Sequence, residues 1–150
     1  MAAECGQVIG VVNYGIGNLR SVANALSAIG ADFQMIDDPK MLASCDKAIL
    51  PGVGAFGACM DAFRAAGLEQ VTLDAVDSGR PFLGICVGYQ ALFDRSEEFN
   101  SCAAGLGIFG GNVVRFAAAP GLKIPQIGWN QIEITRPECP LYAGIPNGSH

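Results

Sequence analysis

The residue with the clearest chemical potential is Cys86, in the stretch Gly84-Ile85-Cys86-Val87-Gly88. The apolar run that follows Arg80-Pro81 predicts a short buried strand, and glycines two positions either side of the cysteine predict a sharp turn into a helix. Such a turn leaves the thiol in an open cleft, and the helix amides that follow favour its thiolate form. The spacing therefore indicates a nucleophile elbow, in which the Val87 amide supplies half of an oxyanion hole.

The same pentapeptide also fits a buried structural cysteine between two packing glycines. The six cysteines are scattered, without a Cys-x-x-Cys pair or a histidine nearby, at positions Cys5, Cys45, Cys59, Cys86, Cys102 and Cys139. This pattern argues against a disulfide framework and against a metal site, so we expect reduced thiols.

Composition limits the class of protein. The 150 residues, of which 51% are hydrophobic, predict a single domain over 1–150 with a proper core. The net charge of −5 and the absence of a basic run argue against a nucleic-acid partner. No secretory leader and no apolar stretch near the roughly 18 residues of a membrane span are visible. We therefore expect a cytoplasmic protein without a membrane partner.

The chain alternates between apolar runs and helical stripes. Strands are predicted for the elbow run and over Gln7–Asn13, Asp32–Ile36, Lys47–Leu50, Asn112–Phe116 and Gln131–Thr135. Helices are predicted from Leu19 to Gly30, briefly after Pro39, between Met60 and Val76, and from Tyr89 to Phe93. Such alternation predicts an α/β fold with a doubly wound, mostly parallel sheet, in which Asn13, Pro51–Gly54 and Cys86 share one edge.

Two glycine-rich stretches follow predicted strands. Gly15-x-Gly17 resembles part of a dinucleotide fingerprint, but Arg20 occupies the position of the third glycine, which argues against a nucleotide cofactor. Pro51–Gly57 contains three glycines, so its amides can approach a ligand closely, although an ordinary flexible turn has the same composition. The single tryptophan, Trp129, fits either a core or a contact surface.

Four motifs together resemble the glutaminase subunits of imidazole glycerol phosphate synthase, which are class I, triad-type glutamine amidotransferases of histidine biosynthesis. The motifs cover nearly the whole chain in the right order: Asn13-Tyr14-Gly15-x-Gly17-Asn18, Pro51–Gly57, Gly84–Gln90 and Lys123–Asn130. The resemblance implies a flavodoxin-like class I glutamine amidotransferase fold and no cofactor. The combination of Pro51-Gly52-Val53-Gly54 with Gly128-Trp129-Asn130 favours the histidine-pathway member.

The resemblance also implies roles for individual residues. Cys86 would attack the glutamine carboxamide, and the amides of Val53 and Val87 would hold the oxyanion. The substrate contacts would come from Gly52, Gly54, Gln90 and Glu98, with Glu97 as the neighbouring candidate for the substrate ammonium. The face that docks a (β/α)8-barrel cyclase, into which ammonia passes, would include Asn13, Asn18, Lys123 and Trp129.

The family's histidine and glutamate of the triad have no match in these residues. The single histidine, His150, follows a turn at Pro146–Ser149 and is a poor candidate for the base. We therefore expect that the 150 residues are the greater part of a longer protein, lack its last strands, and are unstable or inactive alone. Two other functions stay open: a cysteine-elbow hydrolase or chaperone of a related fold, and a catalytically dead binding module.

Overall fold

The computed structural model describes residues 7–98 and 103–150, which divide into two compact units, 1–115 and 116–150. The strands of the first unit are β1 Ile9–Val12, β2 Phe33–Ile36, β3 Lys47–Gly52, β4 Phe82–Cys86, β5 Phe93–Ser96, β6 Ala103–Ala104 and β7 Phe109–Val113. Its helices are α1 Leu19–Ala28, α2 Pro39–Leu42, α3 Phe56–Ala65, α4 Glu69–Asp77 and α5 Val87–Gln90.

The main sheet has four parallel strands in the order β2-β1-β3-β4. This is the strand order of a flavodoxin-like doubly wound sheet, in which ligands bind beyond the carboxyl ends of the strands. The ends of β1, β3 and β4 lie along one edge, and Gly52 of β3 is directly opposite Cys86 of β4. The predicted parallel α/β sheet is confirmed, and the sheet brings the three motifs to one edge.

Helices cover both faces of this sheet because alternate strand residues point in opposite directions. Val11 and Ile49 pack with Leu26 of α1 on one face. The larger core lies on the other face, where Leu50 packs with Phe56 and Phe63 of α3. Two separate apolar clusters, one on each face, give the doubly wound arrangement that the alternation predicts.

A smaller sheet, in the order β6-β5-β7, follows the elbow and differs from the prediction. The helix predicted from Tyr89 to Phe93 is confirmed only at Tyr89 and Gln90, because α5 ends at Gln90 and Phe93 begins β5. The Phe93 ring packs against those of Tyr89 and Phe109, at centroid distances of 5.4 and 5.9 Å. These contacts hold the segment extended, and no local pattern encodes them.

The last strand of that sheet is also shifted from its prediction. It covers Phe109–Val113, whereas the sequence pattern placed it at Asn112–Phe116. Gly110 and Gly111 look like a loop in the sequence, but the N–H of Gly111 donates to the Asp94 carboxylate at 2.8 Å and its φ is +128°. Pairing with β5 thus converts a glycine pair into an irregular strand.

The second unit, residues 116–150, contains a 3₁₀ turn at Pro140–Tyr142. The strand predicted over Gln131–Thr135 is not formed as a strand, which corrects that prediction. Instead, Ile132 exchanges two backbone hydrogen bonds with the turn that follows it in the chain: its N–H donates to Ser149, and its carbonyl accepts from Gly148. This single bridge is too short to make a ladder. Across the described ranges, no helix has the length and apolarity to cross a bilayer.

Candidate active site

Cys86 lies at the junction of β4 and α5 and has a backbone conformation unusual for a side chain. Its φ is +56° and its ψ is −117°, and it is the only residue other than glycine with positive φ among those that the structure describes. Such a conformation costs on the order of 1–3 kcal/mol and persists only where the surrounding structure imposes it. The cysteine is exposed. A strained, accessible thiol between a strand and a helix is the geometry of a nucleophile elbow.

The two glycines of the elbow are required by close backbone contacts. A Cβ at Gly84 would lie 2.5 Å from the Tyr89 Cα, and one at Gly88 would overlap the Leu50 carbonyl oxygen. The helix can therefore turn back against β3 and β4 only with hydrogen at both positions. This contact fixes where the chain leaves Cys86, as the spacing predicted.

The loop after β3 lies against this turn. A Cβ at Gly52 would be 2.7 Å from the Gly88 nitrogen, so loop and elbow backbones touch. Val53 is 44% exposed, whereas Val87 is buried. Gly54 has φ of +88°, which turns the chain away from the sheet. Because Gly52 pairs with Cys86, the two residues proposed for the oxyanion, Val53 and Val87, each follow the end of one of two neighbouring strands.

Two residues that sequence reasoning missed lie beneath this loop. The Tyr14 hydroxyl donates to the Pro51 carbonyl at 2.8 Å, and the Cys59 thiol donates to the Val53 carbonyl at 3.1 Å. Tyr14 belongs to the first quoted motif, and Cys59 was counted only as a scattered cysteine. No pattern in the sequence indicates that either side chain reaches the loop.

The titration of these two groups reflects their burial. Burial raises the pKa of the Tyr14 phenol above its usual range, and the nearby Cys59 and Cys86 sulfurs raise it further. Burial also raises the pKa of the Cys59 thiol, by more than the neighbouring Tyr14 hydroxyl and the Val53 carbonyl lower it. Both groups therefore remain protonated near neutral pH and act as donors.

The side chains proposed to contact the substrate, those of Gln90, Glu97 and Glu98, differ in their hydrogen-bond partners. The side-chain carbonyl oxygen of Gln90 is buried and accepts no hydrogen bond from residues 7–98 or 103–150. A buried acceptor without a donor is costly, and a ligand N–H would relieve that cost. The Glu97 carboxylate already accepts from Asn112 at 2.9 Å and pairs with Arg95 at 3.4 Å. Neither contact involves the carboxylate of Glu98, whose backbone N–H donates to the Ser96 hydroxyl.

The residues expected at a partner interface fall in both units. In the first unit, the Asn13 side chain accepts from the Gly15 N–H at 3.1 Å, and Asn18 accepts from the Ser21 N–H as the cap of α1. These contacts are local turn and cap functions. In the second unit, Lys123 is exposed and Trp129 is 87% exposed, so the tryptophan is not a core residue of the described chain.

A flavodoxin-like parallel sheet with an exposed cysteine at a strand-to-helix elbow defines an α/β protein with a candidate cysteine nucleophile. Its family follows from sequence: the chain belongs to the class-I glutamine amidotransferase family, whose model matches residues 10–148. The resemblance inferred from the motifs is thereby confirmed.

Within that family, the proteins that this chain resembles include HisH subunits of imidazole glycerol phosphate synthase. The HisH of Syntrophotalea carbinolica is 48% identical, over 94% of this chain and 70% of its own length. The HisH proteins of Synechococcus elongatus and Nostoc punctiforme are 47% and 46% identical, over 91% and 93% of this chain. The chain spans 62% and 65% of those two relatives, that is, about two thirds of their length.

Solved structures show the same fold. A crystal structure of a glutamine amidotransferase matches with a TM-score of 0.60 and 23% identity, over 71% of this chain and 56% of that one. A Listeria monocytogenes protein, provisionally assigned to peptidase E, matches with a TM-score of 0.56 and 11% identity, over 69% of this chain and 63% of that one. At such identities the likeness concerns the fold alone.

Proposed function

We propose that the protein containing this chain is the glutaminase subunit of an imidazole glycerol phosphate synthase and serves histidine biosynthesis in the cytoplasm. The observation that carries the proposal is Cys86, an exposed cysteine at positive φ whose strand pairs with the glycine loop at 51–54. Family membership and the HisH relatives support the same reaction. Glutamine is the proposed substrate, and no cofactor is required.

In the proposed reaction, the Cys86 sulfur attacks the side-chain carboxamide carbon of glutamine. The carbonyl oxygen becomes an oxyanion, which accepts hydrogen bonds from the Val53 and Val87 amides. The tetrahedral intermediate collapses as the carbon–nitrogen bond breaks, and the nitrogen takes up the proton that the thiol lost and leaves as ammonia, giving a glutamyl thioester. Water then attacks the thioester and releases glutamate and the thiol.

Other site residues hold the substrate in this proposal. Gly52 and Gly54 let the loop backbone approach it, and the side-chain carbonyl of Gln90, which has no hydrogen-bond partner among the described residues, accepts a hydrogen bond from it. Glu98 takes the substrate ammonium, since the Glu97 carboxylate is occupied by Asn112. The opposite charges of the carboxylate and the ammonium suit that contact.

The proposed partner is a (β/α)8-barrel cyclase subunit, which receives the ammonia. The residues proposed to contact it are Asn13 and Asn18 in the first unit and, separately, Lys123 and Trp129 in the second. Leaving a large apolar side chain such as that of Trp129 exposed to water is unfavourable. Tryptophan is also enriched among the residues that contribute most of the binding energy of interfaces. Both points support Trp129 as an anchor for the partner.

The test uses the full-length protein in complex with its cyclase. We expect Cys86→Ser to abolish glutamine-dependent synthesis while synthesis from added ammonia continues, because only ammonia release needs the thiol. Cys139→Ser is the matched control, since Cys139 is another free thiol and belongs to the second unit. Full glutamine-dependent activity in Cys86→Ser would refute the proposal.

Labelling separates the amidotransferase from a hydrolase of related fold. A glutamine analogue with an electrophilic side chain should modify Cys86 in the wild-type protein, and free glutamine should protect against it. Modification that glutamine does not slow would favour the hydrolase, and no modification would favour a binding module.

A further inference from the structure

Two buried side chains hold consecutive parts of the glycine loop from below. The Tyr14 hydroxyl donates to the Pro51 carbonyl, and the Cys59 thiol donates to the Val53 carbonyl. Tyr14 and Cys59 are 8% and 3% exposed, so both hydrogen bonds are shielded from water. Buried hydrogen bonds of this kind are costly to break without replacement.

One peptide lies between the two held carbonyls, and it carries the proposed oxyanion donor. The Pro51 carbonyl belongs to the peptide before Gly52, and the Val53 carbonyl belongs to the peptide after Val53. Since peptide units are planar, fixing both neighbours fixes the two ends of the Gly52–Val53 peptide. The N–H of Val53 belongs to that central peptide.

The two donors stand on rigid supports. The Tyr14 ring packs edge-on against Phe63 of α3, with centroids 5.5 Å apart and an interplanar angle of 81°. Cys59 lies within α3, where its own N–H donates to the Ala55 carbonyl. Both anchor points therefore derive from the core between α3 and the sheet.

The clamp reaches the elbow through direct contact. A Cβ at Gly52 would lie 2.8 Å from the Tyr14 hydroxyl and 3.1 Å from the Val87 carbonyl carbon. The Gly52 backbone thus fits closely between the Tyr14 hydroxyl and the elbow backbone, with no room for a side chain. A shift of the loop toward the elbow would therefore push Gly52 against Val87, the residue that follows Cys86.

We propose that Tyr14 and Cys59 are positioning residues, which hold both ends of the Gly52–Val53 peptide beside Cys86 so that its N–H can serve as the oxyanion donor. This inference rests on the proposed glutaminase function. It assigns a role to a tyrosine and a buried cysteine that neither the motifs nor the chemistry of the nucleophile requires. The expected effect is mainly on catalysis, because the held peptide carries the proposed oxyanion donor, whereas the side chains proposed to bind the substrate, those of Gln90 and Glu98, lie outside this loop.

The experiment compares Tyr14→Phe, Cys59→Ala and the wild-type protein in the full-length complex with its cyclase. Each variant should lower kcat for glutamine hydrolysis by about tenfold, less than the loss of an oxyanion donor itself, with KM nearly unchanged. The double variant should lose less than the product of the two single effects, because both side chains hold one peptide. Cys59→Ser, which retains a donor, should recover part of the activity.

Two further readouts distinguish positioning from general damage. An aldehyde analogue of glutamine, which forms a tetrahedral adduct with the thiol, should bind more weakly by the same factor as the loss of kcat. Alkylation of Cys86 by iodoacetamide should proceed at the wild-type rate. A purely structural role would lower the melting temperature and leave kcat per folded molecule unchanged.

Cys45→Ala is the matched control, because Cys45 is equally buried and its thiol donates to the Met41 carbonyl away from the loop. This control should keep its wild-type kcat. An equal loss in Cys45→Ala, or kcat within about twofold of wild type in both Tyr14→Phe and Cys59→Ala, would overturn the inference. If the wild-type complex failed to hydrolyse glutamine, the proposed function would fail first, and this inference with it.

Discussion

At the scale of single residues, the most informative feature is the strain at Cys86. A side chain at φ of +56° and ψ of −117° is in a region that glycine visits easily and other residues avoid. The protein retains a cysteine there because the sharp turn exposes the sulfur at the end of β4. The strained backbone at Cys86 lowers the stability of the fold, and the proposed chemistry of the thiol explains why a residue other than glycine occupies this position.

Replacing Cys86, the proposed nucleophile, should reveal how much the positive φ lowers the stability of the protein. Cys86→Gly and Cys86→Ala both remove the thiol, but only glycine relieves the positive φ. We expect the glycine variant to be the more stable by about 1 kcal/mol in its free energy of unfolding, despite its greater freedom when unfolded. Chemical denaturation of the two full-length variants measures the difference. Greater stability of the alanine variant would show that the turn is not strained.

At the scale of elements, the site depends on how β3, β4 and α5 meet. The strands pair over five residues, from Ala48 opposite Phe82 to Gly52 opposite Cys86. The register brings both strand ends to the same level, and the glycines of the elbow let α5 pack onto β3. Because α5 has only four residues, its position comes from these tertiary contacts rather than from helix propensity.

The closest of these contacts makes a direct prediction. Gly88→Ala should destabilise the protein by about 3 kcal/mol or more, because the new methyl group would overlap the Leu50 carbonyl and force the elbow away from β3. It should also abolish glutamine hydrolysis. Denaturant midpoints and kcat measure the two effects.

Gly110→Ala is the control for this substitution. A Cβ at Gly110 would meet nothing within 4 Å, so its stability should change by less than about 0.5 kcal/mol. If Gly88→Ala changed the free energy of unfolding as little as Gly110→Ala, the inferred close packing of the elbow on β3 would be wrong.

At the scale of the whole molecule, the buried apolar side chains lie in the first unit, whereas several large apolar side chains of the second unit are exposed. Phe56, Phe63 and Leu68 are almost fully buried, and each such side chain contributes roughly 1.5–3 kcal/mol through its transfer from water. In residues 116–150, by contrast, Phe116, Ile127 and Trp129 are largely exposed. The chain also spans about two thirds of the length of its HisH relatives.

This leads to a prediction for the 150-residue chain itself. The proposed reaction needs a base that takes the Cys86 proton, and the single histidine of the sequence, His150, is an exposed residue that follows a turn at 146–149. We expect purified residues 1–150, with or without cyclase, to release no more ammonia from glutamine than the same chain carrying Cys86→Ser. An ammonia assay with both proteins at equal concentration measures this. Cys86-dependent turnover would show that these residues suffice.

Much of the site was accessible to pattern reasoning because it is local in the chain. The elbow glycines and the thiol lie within five residues, and the loop after β3 follows its strand directly. Tyr14 and Cys59 were missed because their hydrogen bonds span 37 and 6 residues and end on backbone carbonyls, which have no sequence signature. The choice between Glu97 and Glu98 likewise depends on Asn112, 15 residues further on.

The sequence by itself determined the order of the strands and helices up to the elbow, the strained cysteine and the family. The order of the elements and the turn at the cysteine follow from apolar periodicity and from glycine spacing, which act over a few residues, whereas the family follows from the resemblance of four motifs. Only the tertiary structure decided that Phe93 begins a strand, that the glycine pair at 110–111 joins a sheet, that residues 131–135 form no strand, and that two buried donors hold the loop. Each of these depends on contacts between distant segments, whose energies exceed local propensity once the chain is folded.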